Sequence, residues 1–323
     1  MRQLMLHTAL VAVCAGLAVP TAKCGPKASR PITQTKTAAF AAAAARAHEV
    51  PCVLLARPYD GGNVGAAARA MLNFGLTQLR VVDPIADLAS DEAINRAAGA
   101  APVLRNAATF PTIPEAAADL SLVLATTARS RDCLLPVYSP REAVGLAADA
   151  IARGERVGFL FGSEKNGLSS AELQAAHAIV TIPTAAGFSS LNLAQAVLLL
   201  GYEWAAAEAR ASPGEAGRTA AEDASMAGEE SGDDAAAGAP LAMLDSLFSW
   251  WERTLWDVGF FGGNRGVRSL AGPIKGVEQE RRRSAAAMEK LRGLLMRARP
   301  TRGEATLLRG ALQTMRTPKA PSE

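Results

Sequence analysis

Asn63 and Arg69 are the two side chains with evident chemistry in a run otherwise built of small and apolar residues, Gly61-Gly62-Asn63-Val64-Gly65-Ala66-Ala67-Ala68-Arg69-Ala70-Met71. Small residues ahead of a helix let a ligand approach the free N–H groups of its first turn, as binding of a phosphate or an RNA backbone requires. Asn63 is expected at the cap of that helix, turned back toward the loop. Arg69 would project from the helix and hold a phosphate through paired hydrogen bonds; pairing with a neighbouring carboxylate is the structural alternative. The run is neither a Walker A loop nor G-x-G-x-x-G, so nucleotide hydrolysis and dinucleotide binding lose support.

Glu164 follows the apolar run Val157-Gly158-Phe159-Leu160-Phe161 and lies between Gly162 and Gly167. A carboxylate at the carboxyl end of a buried strand stands where α/β proteins collect their ligands. The flanking glycines would let backbone groups approach a cofactor closely; a polar turn is the plain alternative. A third polar group follows in Ile182-Pro183-Thr184 and Phe188-Ser189-Ser190-Leu191-Asn192-Leu193-Ala194-Gln195-Ala196-Val197. Ser190 is expected to cap the next helix, which leaves Asn192 unexplained in an apolar first turn.

Other chemistries find little support. His7, His48 and His177 are the only histidines and form no H-E-x-x-H pattern. Cys14, Cys24, Cys52 and Cys133 form no C-x-x-C pair, so no metal site is expected and a reducing compartment is favoured. His177 is expected on a helix surface or in a satisfied hydrogen bond. The formal net charge of +3 is too small to announce a nucleic-acid binder, so the distribution of charge matters more.

The elements that must position these residues alternate from Val50 onward. Strands are expected at about 51–56, 78–82, 121–125, 156–161 and 178–182. Between them the periodicity predicts helices at about 63–74, 91–98, 114–119, 140–153 and 170–176, and a longer one at 190–208. Strand and helix in alternation imply an α/β domain with a mostly parallel sheet, here residues 49–208. Residues 209–240 are acidic and lack apolar periodicity, as a flexible linker does. Residues 241–318 are expected to form a basic helical module containing Arg265, Arg268, Lys275, Arg281, Arg282, Arg283, Arg292, Arg297, Arg299, Arg302 and Arg309, suited to phosphate contacts or to a solvated face. The Trp250, Trp251 and Trp256 group is expected in its core rather than as a base-stacking platform.

Residues 1–48 contain basic but no acidic side chains, the first being Glu49, as in a targeting presequence. A short apolar run at Leu4 to Pro20, followed by a transit-like stretch, resembles the bipartite presequences that deliver proteins to plastids, with a mitochondrion as the alternative. The apolar run is too short and poorly flanked for a membrane span, and none is expected in the mature form.

Together the polar segments resemble the signature motifs of the SpoU-TrmH RNA methyltransferases, and most closely the TrmJ-like branch. The resemblance is carried by N-V-G-A-A-A-R-A-M-L-N-F-G-L at 63–76, A-A-G-A at 97–100, T-T-A-R-S-R at 126–131, F-G-S-E-K-N-G-L at 161–168 and F-S-S-L-N-L-A-Q-A-V at 188–197. It implies a C-terminal trefoil knot in the sheet domain, a rare exception to unknotted folding, and a homodimer with the active site near the subunit interface. It also implies S-adenosylmethionine held by Thr126, Thr127, Ala128, Gly162, Glu164, Ile182, Ser190, Leu191 and Asn192, with no metal required. Catalytic roles would fall to Asn63, Arg69, Glu164, Ser190 and Asn192. The expected substrate is a ribose 2′-hydroxyl of tRNA, at the first nucleotide of the anticodon loop, with rRNA as the alternative.

Overall fold

The computed structural model describes residues 40–41, 44–46, 49–128, 135–185, 187–211, 236–261 and 277–316, all within one unit, Lys36–Glu323. Most of the expected presequence and acidic linker lie outside the described residues, as do Arg265, Arg268 and Lys275 of the basic module. Among the described residues one parallel sheet contains β1 (Cys52–Ala56), β2 (Leu79–Val82), β3 (Ala108–Phe110), β4 (Leu122–Thr126), β5 (Val137–Tyr138), β6 (Val157–Phe161) and β7 (Ala178–Val180). Their order is β3-β2-β1-β6-β4-β7-β5, with Val53 beside Phe159 and Val123 beside Gly158. The edge strands β3 and β5 were not expected from the sequence. They are three and two residues long and largely exposed, so they carry no apolar run for a periodicity search to find.

Both faces of the sheet are covered, which is why its strands read as continuous apolar runs. Val53, Leu55, Val81, Leu124, Phe159 and Val180 face α1 (Gly61–Asn73), α2 (Asp91–Ala97), α3 (Ala101–Arg105), α5 (Pro140–Ala152) and α7 (Leu193–Ala211). Cys52, Leu54, Val123, Leu160 and Ile179 face the other way, toward α4 (Ile113–Ala116), α6 (Ser170–Leu173) and three later helices, α8 (Leu241–Asp257), α9 (Val277–Ala298) and α10 (Arg302–Arg316). The strand order, with α7 returning to pack on α1 and α5, agrees with the knotted crossing implied by the resemblance.

The small residues of α1 serve packing more than ligand approach. A Cβ on Gly65 would lie 2.1 Å from the carbonyl oxygen of Ala93, so only glycine lets α1 and α2 come this close. The C-terminal helices are joined to the sheet by more than apolar burial. Leu241 N donates to Leu120 O at 2.9 Å, Ser121 Oγ to Gly238 O at 3.0 Å and Arg292 Nε to Gln174 O at 2.9 Å. Glu155, its side chain only 4% exposed, accepts from Arg153 Nε at 2.9 Å and from Arg299 Nη2 at 2.7 Å.

His177 lies in this junction rather than on a helix surface. It is buried, and its Nδ1 accepts from Val123 N at 3.0 Å, which assigns the proton to Nε2. Burial, with the nearby Arg299 and Arg292 charges, pushes its pKa down to about 3. Of the tryptophans, Trp251 packs against the second core, whereas Trp256 is exposed beside Phe261 with ring centroids 5.3 Å apart.

Candidate active site

The carboxyl ends of β1, β4, β6 and β7 meet in one place, and each of the sequence segments with chemistry leaves the sheet there. The turn after β1 is pinned from both sides. Arg57, in a left-handed backbone conformation at φ 47, forks onto Glu172 of α6, while Ile85 N and Ala86 N donate to Pro58 O. Asp60 then caps α1 by accepting from Asn63 N at 2.7 Å. The helix thus begins two residues before the expected start, and Asn63 sits inside its first turn with the side chain free to reach outward.

That side chain is the centre of a relay. Asn63 Nδ2 donates to Glu164 Oε1 at 3.1 Å, and Asn63 Oδ1 accepts from Asn192 Nδ2 at 2.8 Å. The second oxygen of Glu164 accepts from Tyr59 N at 3.0 Å. Three segments more than a hundred residues apart at their extremes are therefore tied through two amides and a carboxylate. Glu164 forms no ion pair among the described residues, so its negative charge is held by neutral donors alone.

Asn192, not Ser190, caps α7. Its Oδ1 accepts from Ala194 N at 2.9 Å, and its own N donates to Gln195 Oε1 at 3.2 Å, so the cap is bonded in both directions. The N-x-x-Q spacing carried that signal in the sequence; the serine two residues earlier diverted it. Ser190 is instead exposed on the rim of a cavity of about 220 Å³.

This cavity is bounded by the loops after β4, β6 and β7. Thr126, Thr127, Ala128, Gly162, Glu164, Ile182, Ser190 and Leu191 all line it. Asn192 does not, and is linked to Glu164 through Asn63. Its apolar lining also includes Leu168, Val180, Leu193 and Ala196, which in the sequence are indistinguishable from core positions. The loop after β4 is fixed by Thr126 Oγ1 donating to Leu160 O at 3.1 Å and Thr181 Oγ1 donating to Thr127 O at 3.3 Å. At Gly162 the missing side chain makes room for the loop itself, since a Cβ there would lie 2.3 Å from the Gly167 carbonyl carbon. Arg69 is exposed on α1 and pairs with no carboxylate among the described residues, so the structure does not join it to the relay.

A parallel sheet with three loop segments tied at its carboxyl edge and an apolar-floored cavity between them is the arrangement of a known class. Residues 51–202 match the SpoU rRNA Methylase family. The tRNA (cytidine/uridine-2'-O-)-methyltransferase TrmJ of Klebsiella pneumoniae is 36% identical over 81% of this chain and 95% of its own length. That of Salmonella typhimurium is likewise 36% identical over 81% of this chain and 95% of its own. The crystal structure of TrmJ from Z. mobilis ZM4 is similar at a TM-score of 0.63, with 35% identity over 82% of this chain and 99% of that one. The chain belongs to the SpoU methylase family. Within that family it is TrmJ-like, and its relatives align through the C-terminal helices as well as the sheet domain.

Proposed function

We propose that the chain methylates a ribose 2′-hydroxyl of tRNA, at the first nucleotide of the anticodon loop, with S-adenosylmethionine as donor. It is an RNA (ribose-2′-O)-methyltransferase, and the observation that carries this is the hydrogen-bonded relay Glu164–Asn63–Asn192, whose carboxylate lines the cavity. The residues present fit the cofactor: Leu168, Ile182, Leu191 and Ala196 offer apolar walls for a purine face. The carboxylate of Glu164 beside the cavity, unneutralised by any cation among the described residues, suits a positively charged ligand. When bound, S-adenosylmethionine supplies a methyl group already activated on a sulfonium.

The chain's own task is then mainly alignment. Arg69, exposed and unpaired among the described residues, stands ready for an RNA phosphate and positions the nucleotide; an arginine stays charged and is poorly suited to taking a proton. Ser190 on the cavity rim orients the hydroxyl, while Asn63 and Asn192 hold the Glu164 loop in register. A homodimer belongs to this proposal, supported by Leu198, Leu199 and Tyr202, which α7 leaves exposed. Residues 1–48 are proposed to direct the chain to an organelle, a plastid in preference to a mitochondrion, on the absence of acidic residues before Glu49.

Transfer of labelled methyl from S-adenosylmethionine to bulk tRNA tests the activity, and mapping of 2′-O-methyl sites in organelle RNA from a knockout tests the target. Loss of one anticodon-loop methyl group is expected. Loss confined to rRNA, the substrate in the family's name, would overturn the tRNA assignment.

A further inference from the structure

Lys165 directly follows Glu164 but does not share its work. Its side chain is exposed, and its Nζ stands 3.4 Å from the centroid of the Tyr59 ring. Tyr59 is itself 49% exposed, and its backbone N–H is the donor to Glu164 Oε2. Tyr59 is thus joined to two consecutive residues, to Glu164 by its backbone N–H and to Lys165 by its ring. Lys165 lines the cavity whereas Tyr59 does not, so the ring holds the ammonium against a residue outside the lining. Both oxygens of Glu164 are taken by Asn63 and Tyr59, and Lys165 forms no ion pair among the described residues.

We infer that Lys165, held over the Tyr59 ring, is a contact for an RNA phosphate beside the nucleotide being methylated, and that Tyr59 is its positioning residue. A lysine on a flexible stem loses much rotamer freedom when it grips a phosphate. One already parked on an aromatic face loses less, so the ring prepares the cation for its ligand. The π face competes with a phosphate only weakly, because a full negative charge outweighs a quadrupole. This inference rests on the proposal that RNA is the substrate.

The test measures RNA affinity and methyl transfer separately. Fluorescence anisotropy with a tRNA gives Kd at several salt concentrations, and steady-state assays give KM for RNA and for S-adenosylmethionine. Lys165→Gln is expected to raise the RNA Kd about tenfold, to flatten the log–log salt slope by about one, and to leave the cofactor KM within about twofold. Tyr59→Leu is expected to weaken RNA binding about threefold, to have no further effect in the Lys165→Gln background, and to be rescued by Tyr59→Phe. A raised cofactor KM with unchanged RNA Kd would overturn the inference and assign Lys165 to the cofactor. An unchanged RNA Kd in a Lys165→Gln protein that still methylates tRNA would overturn it while the proposed function stands. Absence of both RNA binding and methyl transfer in the unsubstituted protein would overturn the two together.

Discussion

Two carboxylates with the same hydrogen-bonding task end up in opposite electrostatic states. Glu155 and Glu164 each tie segments far apart in the chain, and each uses both oxygens. Glu155, at the buried junction of the sheet with the C-terminal helices, accepts from two guanidinium groups and is neutralised. Glu164, at the carboxyl end of the sheet, accepts from a side-chain amide and a backbone amide and has no ion-pair partner among the described residues. A carboxylate buried for architecture must be paired, because desolvating it alone is costly. One intended for a ligand is better fixed by dipoles, which hold its position without cancelling its charge.

The sharpest break of this contrast is Glu155→Ala. It strands Arg299 in a partly buried site and is expected to cost about 3 kcal/mol of stability in urea denaturation, with the folded fraction still active. Equal stability of the variant would show that the junction is held by apolar packing alone. Next comes Arg69→Ala, expected to lower kcat for methyl transfer about a hundredfold with cofactor binding by calorimetry unchanged. Undiminished turnover would remove arginine from the mechanism.

The buried junction should also be sensitive to acid. His177 has a folded pKa of about 3, well below its unfolded value, so its contribution is fully present above about pH 6.5 and is lost as pH falls from there toward 3. Stability should drop by about 1.4 kcal/mol between pH 7.5 and 5.5, and His177→Gln should flatten that slope. A slope unaltered by the substitution would assign the acid sensitivity to other groups. The smallest effect is expected at the relay's far end, where Asn192→Ala removes the cap of α7 for about 1 kcal/mol and lowers kcat several-fold through Asn63. If the cap energy is lost but kcat is not, the Asn192–Asn63 bond is structural.

The buried strands β1, β2, β4, β6 and β7 were legible because both of their sides are apolar, and periodicity reports burial. The same rule hid β3 and β5, which owe their existence to a neighbour's free edge rather than to their own residues. At the site, the residue types were readable and their partners were not. Asn63 and Glu164 stood out as polar residues in apolar runs, but nothing local says that Asn192 reaches 129 positions back to Asn63. In the sequence the Gly-rich start of α1 suggests space for a ligand, whereas in the structure Gly65 makes space for α2. Small residues announce close approach without naming what approaches.

The Asn192–Asn63 bond couples competence to the order of assembly. Asn192 completes the first turn of the last helix of the sheet domain, and its remaining hydrogens find their acceptor only on a helix formed near the beginning of that domain. A folding intermediate whose last helix has not yet docked would carry every residue of the site but lack the Asn192–Asn63 half of the relay. Such a chain would leave the Asn63 amide, one of the two donors to Glu164, without its own anchor, so docking of the last helix of the sheet domain completes the site.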